Sequence, residues 1–199
     1  MQSLSNKGIR MASNGIGDRV AIVGMGCTPF GEHWDKDVDD LVIDSTQEAF
    51  TTSGIKKDDI DAFWFGTMGS AVSGLGLSRP LKIDYKPVTR LENMCATGSE
   101  AFRNACYAVA CGAYDTVMAV GVEKLKDPGY GGLPQRGRGP LNDMVNPNAS
   151  APGSFAQLAA AYRAKHKVDP KDLKQAMAHI SVKSHDNGAR NPKAHLRNK

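Results

Sequence analysis

The chain has 199 residues, 41% of them apolar and 23% charged, with a net charge of +4. That length can bury a sizeable core, and those proportions are ordinary for a soluble globular protein. The positive charge gathers late, between residues 165 and 199 with Arg136 and Arg138 before them. It suits an anion such as a phosphate-bearing cofactor or simply a solvated surface, and it lacks the aromatic interleaving of a nucleic-acid face.

No apolar run is long enough to span a membrane, and residues 1–18 carry no secretory core, so they read as a disordered leader. The cysteines Cys27, Cys95, Cys106 and Cys111 have no paired metal-ligand spacing, which leaves no metal site and fits a reducing cytoplasm. Residues 19–24 form an unbroken apolar run and predict a buried strand ending in Gly24-Met25-Gly26. A nucleotide-binding turn would need a third glycine and a helix next, but Thr28-Pro29-Phe30 follows, so a tight turn is the better reading.

Residues 38–53 have apolar positions at helical spacing, an acidic start at Asp37, Asp39 and Asp40, and Gly54 as a stop. Residues 62–66 form a strand around Phe63, Trp64 and Phe65. Strand, helix, strand in that order implies a right-handed crossover and a parallel sheet. Residues 66–77 are glycine-rich, a packing loop with a lesser claim to lining a substrate. A short extended segment follows at 88–91.

Next comes Asn93-Met94-Cys95-Ala96-Thr97-Gly98-Ser99-Glu100. Beyond Cys95, residues Ala101, Phe102, Ala105, Cys106, Val109 and Ala110 make one helical stripe, and Gly112 ends it. Residues 115–122 then read as a buried strand. A cysteine where a strand hands over to a helix meets the unpaired first amides and the positive end of the dipole, which stabilise a thiolate. The competing reading is a small buried core residue.

After Glu123 the character changes. Residues 126–154 hold Pro128, Pro134, Pro140, Pro147 and Pro152 among glycines, with little periodicity, as in a functional or mobile run. Residues 155–167 predict an amphipathic helix. Asp169-Pro170 starts another, by an acidic N-cap and a proline at the first position.

Asn93-x-Cys95-x-Thr97-Gly98-Ser99 before small helix residues resembles the nucleophile segment of the thiolase superfamily. The nearest likeness is to the sterol-carrier-protein type and its bacterial lipid-transfer relatives. The glycine, threonine and phenylalanine stretch after residue 24 is similar to the end of that family's first strand. His179-x-Ser181-x-Lys183-x-His185, followed by Asn191-Pro192, is similar to a landmark of its loop domain.

The resemblance implies a three-layer α/β/α fold: an incomplete N-terminal domain at 19–125, then a truncated loop domain at 126–199 that would hold an acyl-coenzyme A and its pantetheine arm. It also implies a homodimer paired beside the cysteine segment, with 66–77 near the contact. Cys95 would be the catalytic nucleophile and coenzyme A a substrate, with no permanently bound cofactor. The family's base histidines lie in His-Asp-Cys-Phe and Gly-His-Pro segments and its second cysteine near Cys-x-Gly, and none of these occurs here. His33, His166, His179, His185 and His195 read instead as surface or packing residues. The chain therefore resembles the first half of a thiolase: a fragment, one subunit of a split enzyme, or a remnant.

The implied activity is acyl transfer by thiolysis of a 3-oxoacyl-coenzyme A, or the reverse, through a Cys95 acyl enzyme. Two alternatives stand. One is a retro-aldolase of steroid side-chain thioesters, working with a small OB-fold partner that sometimes carries zinc, in which Cys95 is structural. The other is a non-catalytic acyl-coenzyme A binding or assembly subunit. The substrate- and coenzyme-contacting residues are not identified by these patterns.

Overall fold

A computed structural model describes residues 15–127 and 150–198. Helix α1, Val38–Ser53, begins where Asp37 accepts a hydrogen bond from Asp40 N at 2.9 Å while Asp40 accepts from Asp37 N at 3.0 Å. This reciprocal cap satisfies two orphan amides. Gly54, at φ 72°, ends the helix in the left-handed region that favours glycine.

Strand β1, Ala62–Gly66, sits between β2, Val88–Leu91, and β3, Val117–Gly121, and both pairings are parallel. Helix α2, Leu75–Leu81, lies between β1 and β2 in sequence, and α3, Thr97–Ala110, between β2 and β3. The register sets Phe63 beside Val88 and Met118, and Phe65 beside Arg90 and Val120. Period-two alternation puts Phe63 and Phe65 on one face, where they join Val42 of α1 and Leu77 of α2 in the core.

The opposite face carries Ala62, Trp64 and Gly66 of β1 with Val117, Ala119 and Gly121 of β3. Helix α3 packs on this face, and a Cβ on Gly66 would lie 3.0 Å from Thr97 Cγ2 and 3.5 Å from Ala101 Cβ. Having no side chain, Gly66 lets the start of α3 come close to the end of β1. Helices on both faces of a parallel sheet give the three-layer α/β/α arrangement.

Strand β3 is shorter than the expected 115–122. The Asp61 carboxylate accepts Asp115 N at 3.0 Å and Thr116 N at 2.9 Å, which takes those two residues out of the ladder. The same bonds, Thr116 first and Asp115 second, hold the Asp61 carboxyl below the usual carboxylate range.

Residues 19–24 are not a strand, contrary to expectation. They run extended along α1 without ladder partners, and Ile22 and Val23 are exposed. Gly24 and Gly26 explain the route. A Cβ on Gly26 would lie 1.9 Å from the Ser45 carbonyl oxygen and 2.6 Å from Ala49 N. Thr52 Oγ1 pairs with both the N–H and the carbonyl of Met25, and Glu48 accepts from Cys27 N at 2.8 Å. The apolar run is therefore held by the helix while the outer edge of β3 stays unpaired, and an unpaired run forms no ladder.

Helix α4, Ala151–His166, starts earlier than expected because Ser150 caps it, accepting from Gly153 N at 3.2 Å. Helix α5, Pro170–Arg190, starts at Asp169 as expected and runs past residue 187. Neither buries a residue. Beyond α5, Lys193 Nζ donates to the Cys27 carbonyl and to Glu48, and Phe30 N donates to the Lys193 carbonyl at 2.8 Å. Residues 1–14 of the expected leader, and residues 128–149 of the proline- and glycine-rich run, lie outside the described residues. Among the described residues no helix is long and apolar enough to cross a membrane.

Candidate active site

Cys95 is the middle residue of a 3-10 turn, Met94–Ala96, that leads straight into α3, and it is exposed. The turn lies beyond the carboxyl end of β2, beside the ends of β1 and β3. In open parallel α/β sheets this is where ligands bind.

Three local features shape it. Met94 adopts φ 50°, a backbone state that a non-glycine residue occupies at a cost. Thr97, almost fully buried, stabilises that state: its Oγ1 accepts from Asn93 N at 2.8 Å and donates to the Met94 carbonyl at 2.7 Å. Glu92 accepts from Met94 N on the preceding side. The cap residue of α3 is Ala96, which has no side-chain acceptor to offer. The first turn of α3 therefore lacks a side-chain cap, and its amides can stabilise negative charge at the turn.

Glu100, one turn into α3, is hydrogen-bonded by Arg103 and Asn104, which hold its carboxyl below the usual range. Arg103 also stacks over the Tyr107 ring at 5.5 Å. A weaker side-chain bond from Asn93 also links this acidic residue to the cysteine turn.

No histidine among the described residues hydrogen-bonds to Cys95. His33 Nε2 contacts the Pro29 carbonyl at 2.6 Å, and Gly31 lies between His33 and His195. His166 packs on Tyr162, while His179 and His185 lie exposed on α5. No group of three histidine, cysteine or carboxylate side chains among the described residues could hold a metal ion.

A large cavity among the described residues lies elsewhere. A groove of about 950 Å³ runs between the 19–34 segment and the open edge of β3, floored by Phe102, Cys106 and Val109 of α3. Cys95 does not line it.

Residues 20–199 match the family described as "Thiolase, N-terminal domain". The chain belongs to the thiolase family. It is 30% identical over 194 residues to an "Acetyl-CoA acetyltransferase" of Methanothermobacter thermautotrophicus, covering 88% of this chain and 46% of that protein. It is 27% identical over 195 residues to "Sterol carrier protein 2" of Gallus gallus, covering 91% of this chain and 35% of the relative. It thus spans less than half the length of the curated thiolase relatives it matches.

Two solved thiolase-fold structures resemble it in architecture. One is the "Ltp2-ChsH2(DUF35) aldolase", at TM-score 0.69 and 19% identity, covering 88% of this chain and 45% of that one. The other is an "Acetyl-CoA acetyltransferase from Syntrophomonas wolfei", at TM-score 0.54 and 16% identity, covering 86% of this chain and 48% of that one.

What sequence reasoning missed is Glu123. It receives Met68 N at 2.7 Å and Ser70 Oγ at 2.6 Å, tying the end of β3 to the loop after β1. The available signal was a single carboxylate placed immediately after a buried apolar strand.

Proposed function

We propose that this chain is the nucleophile-bearing half of a thiolase-type acyltransferase, with Cys95 as the residue that takes the acyl group. The observation that supports it most is the exposed Cys95 thiol at an uncapped helix start, on the carboxyl side of a parallel sheet. In the thiolysis direction Sγ attacks the keto carbon of a 3-oxoacyl-coenzyme A. The bond between that carbon and the α carbon breaks, and the α carbon takes a proton from an acid as acetyl-coenzyme A leaves. The thiol of a second coenzyme A then attacks the acyl enzyme, displacing Cys95 as thiolate. Helix amides stabilise charge in these steps but accept no proton. The base and the acid would come from the portion of a thiolase that lies outside the 46% this chain covers in its acetyltransferase relative.

Incubating the full-length protein with acetyl-coenzyme A should add an acetyl mass to the peptide containing Cys95. Cys95→Ala should fold normally and show neither the adduct nor thiolysis. A wild-type protein that turns over substrate while Cys95 stays unmodified sinks the reading.

A second reading draws on the aldolase structure, whose TM-score is the higher of the two. It is retro-aldol cleavage of a hydroxyacyl thioester alongside a partner protein. Product analysis on hydroxyacyl against oxoacyl thioesters separates the two, because thiolysis of the oxoacyl thioester needs an acyl enzyme and retro-aldol cleavage of the hydroxyacyl thioester does not.

A further inference from the structure

Glu123 follows the end of β3, on the same side of the sheet as the Cys95 turn. Its carboxylate gathers the loop after β1. It accepts from Met68 N at 2.7 Å, Gly69 N at 3.2 Å, Ser70 Oγ at 2.6 Å and Thr67 Oγ1 at 3.3 Å. Ser70 Oγ in turn accepts from Lys124 N at 2.9 Å, which closes a ring between the two segments. Every donor in the ring points at an oxygen, so a carboxylate fits where an amide would set its NH2 group against another N–H or hydroxyl. Burial pushes the Glu123 carboxyl up, and the bonds from Ser70, Met68, Gly69 and Thr67 outweigh it and hold the group below the usual range.

The loop is gripped from its other side too. Arg90 of β2 donates through Nη2 to the carbonyls of Thr67, at 2.7 Å, and Met68, at 3.0 Å. Donors to Glu123 and acceptors for Arg90 therefore alternate along the same peptides. Both grips lead to the cysteine turn. β2 runs from Arg90 through Leu91 directly into it. Gly66, immediately before the loop, is the surface on which Thr97 rests, its Cβ position lying 3.0 Å from Thr97 Cγ2. Thr97 is the residue that bonds Asn93 and Met94.

We propose that Glu123 is a positioning residue: acting through the 67–70 loop, it fixes the end of β1 beneath Thr97 and so orients Cys95 for acyl transfer. Its chemical consequence rests on the acyl-enzyme reading; the clasp itself does not.

The test uses the full-length protein, with Cys111, exposed at the far end of α3, as an internal reference. Alkylation of both cysteines by iodoacetamide is followed by peptide mass spectrometry in wild type, Glu123→Gln and Ser70→Ala. In Glu123→Gln the Cys95 rate relative to Cys111 falls about tenfold, the factor that one hydrogen bond to a charged group is worth. Ser70→Ala shows a smaller fall. An unchanged ratio in the folded variants overturns the proposal, and Ser70→Ala decides alone if Glu123→Gln does not fold.

Acylation of Cys95 by acetyl-coenzyme A is measured in parallel. The saturating rate falls in Glu123→Gln while the half-saturating concentration holds, a split that general loosening of the binding surface would not give. Normal acylation in Glu123→Gln overturns the positioning role and leaves the acyl-enzyme reading intact. A Glu123-dependent alkylation ratio in a protein that never acylates does the reverse.

Discussion

Thr97, the first residue of α3, is seated on Gly66, the last residue of β1. A Cβ on Gly66 would lie 3.0 Å from Thr97 Cγ2 and 3.3 Å from the Thr97 carbonyl oxygen. Gly66→Ala therefore asks the helix start to give by a few tenths of an ångström, and Gly66→Val asks for much more. Overpacking of this kind costs about 1–3 kcal/mol, with valine at the upper end. Denaturant melts should rank wild type, alanine and valine in that order. Alkylation of Cys95 should change in the same order, because the displaced residue is the one that holds its turn. Equal stability for all three would mean that α3 floats free of the sheet.

Gly26 is tighter still, since its Cβ would enter the Ser45 carbonyl oxygen at 1.9 Å. Neither that atom nor the Ala49 amide behind it is the end of a flexible side chain. In Gly26→Ala the 19–34 segment must lift from α1, losing the Thr52 and Glu48 bonds to Met25 and Cys27. The expected loss is about 1–3 kcal/mol. Limited proteolysis should cut within residues 19–34 before anywhere else in the described core. Resistance equal to wild type would show that the close approach is unimportant.

That same segment marks where sequence stopped being a guide. Helices 38–53 and 97–110 and strands 62–66 and 88–91 were legible because each carries its own information: a capping carboxylate at Asp37, a stop at Gly54, an aromatic run through Phe63, Trp64 and Phe65. The Cys95 turn was legible too, because a change of hydrophobic period falls on it. Residues 19–24 have the composition of a buried strand, but composition does not say which neighbour pairs with them. The glycines that looked like a strand-end turn are instead a contact with α1. The Glu123 clasp was invisible for a related reason: its partners lie more than fifty positions away in sequence, with |i−j| of 53 to Ser70 and 55 to Met68. No local pattern carries such a pairing.

Thr97 gives the sharpest test of how the turn is held. Thr97→Val keeps the shape and removes both the acceptor for Asn93 N and the donor to the Met94 carbonyl. Asn93 is exposed, so water recovers part of the loss and the cost should be about 1 kcal/mol. Without the hydroxyl, Met94 has less reason to stay at φ 50°. Thr97→Ser retains both bonds and should restore the wild-type rate of Cys95 alkylation, while Thr97→Val does not. If valine and serine variants react alike, the hydroxyl has no part in setting the turn.

Glu123 makes stability depend on pH with a definite sign. Its folded-state carboxyl lies below the usual range because the bonds from Ser70, Met68, Gly69 and Thr67 prevail over burial. A depressed carboxylate contributes stability above its unfolded value, near about 4.3, and loses it as pH falls through the folded value. Glu123→Gln cannot titrate. The stability gap between wild type and this variant should therefore be constant above about pH 5 and close on further acidification. The other lowered carboxyls, Glu32, Glu48, Asp61 and Glu100, are common to both proteins and cancel in the difference. Chemical denaturation across that window measures it directly. A gap that widens toward acid would mean that protonated Glu123 is the form the clasp prefers, which the four donors around it contradict.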